Sequence, residues 1–251
     1  MTKLTESVIE WTREYFKNTN GTKAVIGISG GKDSSVAAAI CVAALGKENV
    51  IGVEMPNGIQ ADIDCSEKLI NHLGIAKRVV NINTAFNSIL AQVSPEPSYN
   101  AKVNLPARLR MSTLYAIAQQ EGARVCNTCN LSEDAVGYAT LYGDSAGDFS
   151  PLSRLTTEEI VAIGDELGLP YELTHKIPID GLQALSDEDK LGFTYHEVNE
   201  LIRNNVKGEH FDKIIQMYKA NKFKTEIIQI PAFNPIEYGI DVKNCLHRYE
   251  K

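Results

Sequence analysis

The stretch Lys23-Ala-Val-Ile-Gly-Ile-Ser-Gly-Gly-Lys-Asp-Ser-Ser-Val36 limits what this chain can become more than any other. The β-branched run from Val25 to Ile28 reads as a short strand. Ser29-Gly30-Gly31 reads as a turn, and the alanine-rich segment from Asp33 to Leu45 as a helix. A glycine turn between strand and helix lets backbone N–H groups approach an anion, and the helix start adds about half a positive charge. Phosphate is the natural guest. Two familiar phosphate loops are excluded by spacing. Lys32 is followed by Asp33 instead of Ser or Thr, and no G-x-G-x-x-G is present. What remains is Gly27, Ile28, Ser29, Gly30, Gly31, Lys32, Asp33 and Ser34, with two glycines and two hydroxyls able to line a pyrophosphate-sized site. Asp33 would repel a bare phosphate, so it suits a metal that bridges phosphates. The plainer alternative makes Ser29 or Asp33 an ordinary N-cap after a glycine turn.

The rest of the first half alternates in type. Helices are expected near 4–18, 33–45, 62–74, 84–93 and 105–121, and strands near 24–28, 49–55, 77–82 and 123–127. The strands are short, apolar and poorly alternating, as in Val50-Ile-Gly-Val53 and Ala123-Arg-Val-Cys126. That pattern predicts an α/β fold, a doubly wound and mostly parallel β-sheet buried on both faces by helical crossovers. Ligands then bind beyond the carboxyl ends of the strands, where the Ser-Gly-Gly turn, the Met55-Pro-Asn57 segment and the residues after Cys126 all fall. Thr156 and Glu159 predict a capping box on a helix that stops at Gly168-Leu-Pro170. Gly181 to Gly192 reads as a long loop, followed by helices near 194–204 and 209–221 and an irregular tail. Ser94-Pro-Glu-Pro-Ser98 reads as a loop, and Leu141 to Asp148 as a small, polar active-site loop. With no linker, repeat or low-complexity tract, residues 1–251 are expected to form a single domain.

A net charge of −7 argues against a broad nucleic-acid surface. Five cysteines, an odd number in apolar contexts, suit free thiols and a cytoplasmic chain. The charged amphipathic start, with Leu4, Val8, Trp11 and Tyr15 at helical spacing, is neither a signal peptide nor a membrane span. The acceptor patterns at Asn20 and Asn130 are read as chance matches.

Three further stretches carry a family resemblance. They are Asn104-Leu-Pro-Ala-Arg-Leu-Arg-Met111, Asn127-Thr-Cys-Asn-Leu-Ser-Glu-Asp134 and Tyr142-Gly-Asp-Ser-Ala-Gly-Asp-Phe-Ser-Pro-Leu152. The Ser-Gly-Gly-Lys-Asp-Ser loop alone resembles that of the N-type ATP pyrophosphatases. Together with the other three, in this order, it resembles the NAD synthetases from about residue 5 to Pro231-Ala-Phe233. The resemblance implies a homodimer with an adenine nucleotide alpha hydrolase-like fold. It also implies that ATP adenylates the carboxylate of deamido-NAD and that ammonia then displaces AMP, giving NAD. Since the chain starts at the synthetase region, with no N-terminal glutaminase domain, free ammonia is the expected donor. A separate glutaminase is a possible partner.

The same resemblance implies site residues. Asp33 and Glu133 match Mg²⁺ ligands, with a first-turn acid of a helix capped by Asn130 or Ser132 as the alternative for Glu133. Thr128 matches a nucleotide-contacting threonine, or else a hydroxyl capping its own loop. Arg108 matches a substrate-contacting arginine. Arg110, about 200° away on the same helix, is expected to be structural or to serve a dimer interface. Asp148 and Asp144 match acids at the substrate site, with solvated loop acids as the alternative. Lys32 lies in the ATP loop at a position where the family varies.

The chain also departs from the family pattern. Leu141 and Thr157 stand where basic residues are common, Ile179 where a Ser or Thr is common, and only Lys222 and Lys224 stand in for a basic run near the tail. Two other readings follow. Cys126-Asn-Thr-Cys129 could belong to a tRNA-thiolating relative, although no second C-x-x-C completes a zinc site. The departures could also mark a nucleotide-binding regulator without chemistry.

Overall fold

The computed structural model describes residues 1–58, 63–175, 186–227 and 229–250. In chain order the elements are α1 (Lys3–Asn18), β1 (Lys23–Gly27), α2 (Lys32–Leu45), β2 (Val50–Glu54), α3 (Ile63–Leu73), β3 (Ala76–Val79), α4 (Asn83–Val93), α5 (Tyr99–Glu121), β4 (Ala123–Val125), α6 (Leu131–Val136), α7 (Thr157–Glu166), α8 (Tyr171–Thr174), α9 (Asp187–Leu191), α10 (Tyr195–Asn204) and α11 (Phe211–Ile227). The four strands are all parallel in the order β3-β2-β1-β4.

Alternation along β1 sets the two layers, because successive side chains leave a strand on opposite faces. Ala24, Ile26 and Ile28 pack with Val8 and Phe16 of α1, Val36 and Ile40 of α2, and Ile160 and Ile163 of α7. Val25 packs the other way, with Ile51, Val53 and Val125 from the sheet and Met111, Leu114 and Ala118 of α5. Small side chains let α2 sit deep in the first layer, where Ser34 to Cys41 are all buried. A Cβ on Gly164 of α7 would lie 2.8 Å from Val36 and 2.6 Å from Thr174, so glycine there permits the close approach. A third cluster joins Val136 of α6, Leu191, Tyr195, Val198 and Ile202 to Ile214 of α11. It forms a helical annex beside the sheet.

The expected doubly wound sheet is observed, with two corrections to its elements. The strand expected at 77–82 is β3, and all four of its residues are exposed, Val79 by 55%. It is an edge strand, tied down by Lys77 to Glu54 and Glu67 and by Arg78 to Glu121 instead of by burial. The helix expected from 105 begins at Tyr99, capped by Ser98, whose hydroxyl accepts the Ala101 N–H at 3.3 Å. Pro106 lies inside it, losing one backbone hydrogen bond without ending the helix.

Further on, the loop expected across 181–192 holds α9 over its last residues, while 176–185, including Ile179, lie outside the described residues. The helix expected to end near 221 continues to Ile227. Beyond β4 the chain keeps the sheet's direction through two isolated parallel bridges, Cys126 to Phe149 and Ser150 to Ala232. Ser150 N–H donates to Pro231 O at 2.8 Å, and Phe233 N–H donates to Ser150 O at 3.1 Å. Among the described residues no helix is long and apolar enough to cross a membrane.

Candidate active site

The turn from β1 to α2 is built to leave helix-start N–H groups available. Gly30 has φ +78, and a Cβ there would stand 2.8 Å from the Cβ of Cys65 on α3, so both backbone conformation and space require glycine. Gly31 is the N-cap and has no side chain to cap with, which leaves the first-turn N–H groups of α2 without a side-chain acceptor. The two hydroxyls knit the turn together. Ser29 Oγ lies 3.1 Å from Ser34 Oγ, Gly31 N–H donates to Ser29 Oγ at 3.3 Å, and Ser34 Oγ donates to Gly31 O at 3.1 Å. This turn is therefore a preformed concavity for an anion.

Asp33 follows at once, and the structure brings Glu133 to it from the loop after β4. Asn130 makes the join. Its Oδ1 accepts the Glu133 N–H at 3.0 Å, its N–H donates to Glu133 Oε2 at 3.4 Å, and its Nδ2 donates to Asp33 Oδ1 at 2.9 Å. Glu133 is thus both the capping-box acid of α6 and the neighbour of Asp33. Burial, and then the Asp33 charge, push the Glu133 carboxyl well above the usual range. Two hard-oxygen acids joined through one asparagine beside a glycine turn fit a hard divalent cation. A Mg²⁺ therefore suits this donor set.

Lys32, expected only as part of the ATP loop, and Tyr195, which the sequence does not single out, complete the cluster. Lys32 is only 7% exposed, with Nζ 2.9 Å from Asp33 Oδ2 and 5.7 Å from the centre of the Tyr195 ring. The Tyr195 hydroxyl is buried and finds no partner among the described residues. Burial, then Glu133 and Asp187, raise its pKa. The signal available for Tyr195 was its place just after Thr194, the N-cap of the capping box on α10.

The remaining expected residues make their contacts elsewhere, with β4, α5 and the 141–148 segment. Thr128, after β4, is partly exposed, and its hydroxyl makes no hydrogen bond among the described residues. Arg108 donates from Nε to Leu141 O at 3.1 Å, which ties α5 to the 141–148 segment. Arg110 points elsewhere, donating to Met55 O at 3.0 Å, which matches a structural arginine. Asp144 accepts the Thr140 N–H on Oδ1 at 2.6 Å. Asp148 accepts the Val125 N–H on Oδ2 at 2.8 Å and also bonds Tyr115; burial and then Asp148 push that phenol up to about 12. Both acids thus brace this segment.

Thr157, at a position where the family often has a base, is buried in a polar network, its Oγ1 accepting from Asn199 at 2.9 Å. Lys224 is committed to the carbonyls of Gly137 and Ala139 at 2.7 and 3.0 Å, and Lys222 pairs with Glu226 and Glu250. The two thiols of Cys126-Asn-Thr-Cys129 diverge: Cys126 neighbours Cys41, and Cys129 Sγ lies 3.2 Å from Asp144 O. Burial raises both well above the usual thiol range, so neither is an activated thiolate. Among the described residues no group of three or more His, Cys, Asp or Glu is placed to hold a metal.

The family model described as NAD synthase matches residues 4–228, which spans the phosphate turn, both acids and the 141–148 segment. The chain belongs to the NAD synthase family. Members of the family are enzymes, ligases that form a C–N bond. The chain is 34% identical over 238 residues to the NH(3)-dependent NAD(+) synthetase of Finegoldia magna, covering 94% of this chain and 98% of that one. It is 35% identical to the corresponding synthetase of Thermococcus sibiricus, covering 94% and 89%. Among solved structures it is similar to the NMN synthetase of Francisella tularensis, with TM-score 0.84 and 30% identity over 93% of this chain and all of that one. It is also similar to the NH3-dependent NAD synthetase of Campylobacter jejuni in complex with the nitrate ion, with TM-score 0.74 and 28% identity over 92% and 99%.

Proposed function

We propose that this NAD synthase family member is an ammonia-dependent NAD synthetase. The deamido-NAD carboxylate attacks the α-phosphorus of ATP, the bond to the β-phosphate oxygen breaks, and pyrophosphate leaves. Ammonia then attacks the acyl carbon of the adenylate. AMP leaves, and the surplus proton passes to water. The observation that carries this reading is the convergence of Asp33 and Glu133, through Asn130, on the Ser29–Ser34 turn. Pure nucleotide binding has no need of two abutting acids, whereas expelling pyrophosphate needs strong charge neutralisation.

The roles divide by position. Gly27, Ile28 and the Ser29–Ser34 turn receive the phosphates that leave, and Thr128 contacts the nucleotide. Arg108, Asp144 and Asp148 hold the dinucleotide and keep its carboxylate aligned with the α-phosphorus, which is where positioning lowers the barrier. Asp33 and Glu133 would hold Mg²⁺, which when bound supplies charge neutralisation on the ATP phosphates. Two molecules associate as a homodimer through exposed apolar residues of β3, α4 and α5. The free thiols suit work in a reducing, cytoplasmic compartment.

The test supplies deamido-NAD, ATP and Mg²⁺ with either ammonium or glutamine. NAD, AMP and pyrophosphate form only with ammonium, and Glu133→Ala binds ATP but makes no NAD. Production of ADP, or tight ATP binding with no turnover by the unaltered protein, would sink the reading. The match to the Francisella NMN synthetase, at the higher TM-score of the two solved structures, favours one further candidate substrate, the nicotinic acid mononucleotide. The ratio of kcat/KM for the dinucleotide and the mononucleotide decides between them.

A further inference from the structure

Lys32 is the least expected charge in the molecule. It is the first residue of α2, where the helix dipole disfavours a cation, and it is buried, where desolvation adds to that cost. Its surroundings explain why it stays. Its ammonium lies 2.9 Å from Asp33 Oδ2, faces the Tyr195 ring at 5.7 Å, and feels Glu133 and Asp187 through space. Asp33 Oδ1 is meanwhile taken by Asn130 Nδ2. The chain's own residues therefore already supply one positive charge to the carboxylate pair.

We propose that Lys32 is a tethered cation that competes with a divalent ion for the Asp33–Glu133 pair. It weakens metal binding by the free chain and makes metal entry depend on nucleotide. The reasoning rests on the reading of Asp33 and Glu133 as metal ligands. A divalent ion on Asp33 must displace the ammonium from Oδ2, and a buried ammonium without an anionic partner is costly. Nucleotide phosphates in the adjacent turn give Lys32 a replacement partner, so nucleotide and metal favour each other's binding. A neutral residue at position 32 removes the competitor, strengthening metal binding without nucleotide and leaving two acids uncompensated when no metal is bound.

The probe is Mn²⁺, titrated by paramagnetic resonance into the unaltered protein and Lys32→Met, without nucleotide and then with ATP. Lys32→Met binds Mn²⁺ about tenfold more tightly or better without nucleotide, and ATP narrows the gap. In EDTA the variant melts below the unaltered protein, and Mn²⁺ raises its Tm by more. Lys32→Arg, which keeps the charge, retains the weak affinity, and Lys32→Gln serves if the methionine variant does not fold. Equal Mn²⁺ affinities with and without the Lys32 charge overturn the proposal. Glu133→Gln separates the two ways it can fail. If it abolishes Mn²⁺ binding while Lys32→Met changes nothing, only the role of Lys32 falls. If it changes nothing in either background, the metal-pair assignment falls and the proposal with it.

Discussion

Asn130 shows how much one side chain can organise. It caps α6, fixes Glu133 and anchors Asp33, three tasks for one amide. Asn130→Ala is expected to cost about 1–2 kcal/mol of stability, from the lost cap and one buried hydrogen bond. Urea unfolding measures that loss. The variant also raises KM for ATP, a change that a cap elsewhere, such as Thr2 of α1, does not produce when removed. Part of this was legible in the sequence. Asn130 is a cap residue three before a glutamate, and strand order places Asp33 and Glu133 at one sheet edge. The bridge from Asn130 to Asp33 was not legible, because it spans 97 positions and depends on side-chain direction. Lys32 escaped for the same reason, since nothing in its neighbours' identities says that a lysine beside an aspartate turns inward.

At the level of elements, local chemistry was read well and burial less so. The Thr156–Glu159 capping box is present, and Arg203 reinforces it by donating to both Glu159 oxygens at 2.8 and 2.7 Å. The start of α5 lies before the expected 105 because the capped turns ahead of Pro106 tolerate a residue that breaks helices in isolation. β3 resembled a buried strand because its apolar residues suit a sheet, but local sequence does not say whether anything covers an edge.

The chain's end is tied to α11 by ionic contacts with a pH signature. Glu250 accepts from His247, Tyr218 and Lys222, and these partners hold its carboxyl down at about 2. A depressed carboxyl stabilises the fold above its ordinary value near 4.5 and loses that contribution as pH falls through its folded value. The difference in Tm between the unaltered protein and Glu250→Gln is therefore expected to be greatest above pH 5. It shrinks steadily toward pH 2 in a calorimetric series.

For the whole molecule, the notable surface is the uncovered side of the sheet edge. Val79, Ile89, Val93, Tyr99 and Val103 are all exposed, Val93 by 66% and Tyr99 by 65%, and α4 buries no residue at all. Exposed apolar residues of this number suit an association site. For the proposed homodimer, Ile89→Asp with Val93→Asp is expected to give a monomer of about half the mass by light scattering. An unchanged mass would move the interface elsewhere. The sequence announced an α/β molecule with two layers, but the third cluster around α10 and α11 escaped it, because helices without intervening strands give no sign of where they dock.

The bridges beyond β4 bear on how the molecule comes to be made. The phosphate turn, the helix that follows it and their sheet neighbours all lie within the first half of the chain. The 141–148 segment gains its outer support only when Pro231 and Phe233 arrive to pair with Ser150. A ribosome-bound chain would therefore own a place for phosphate long before it has a finished place for a second substrate.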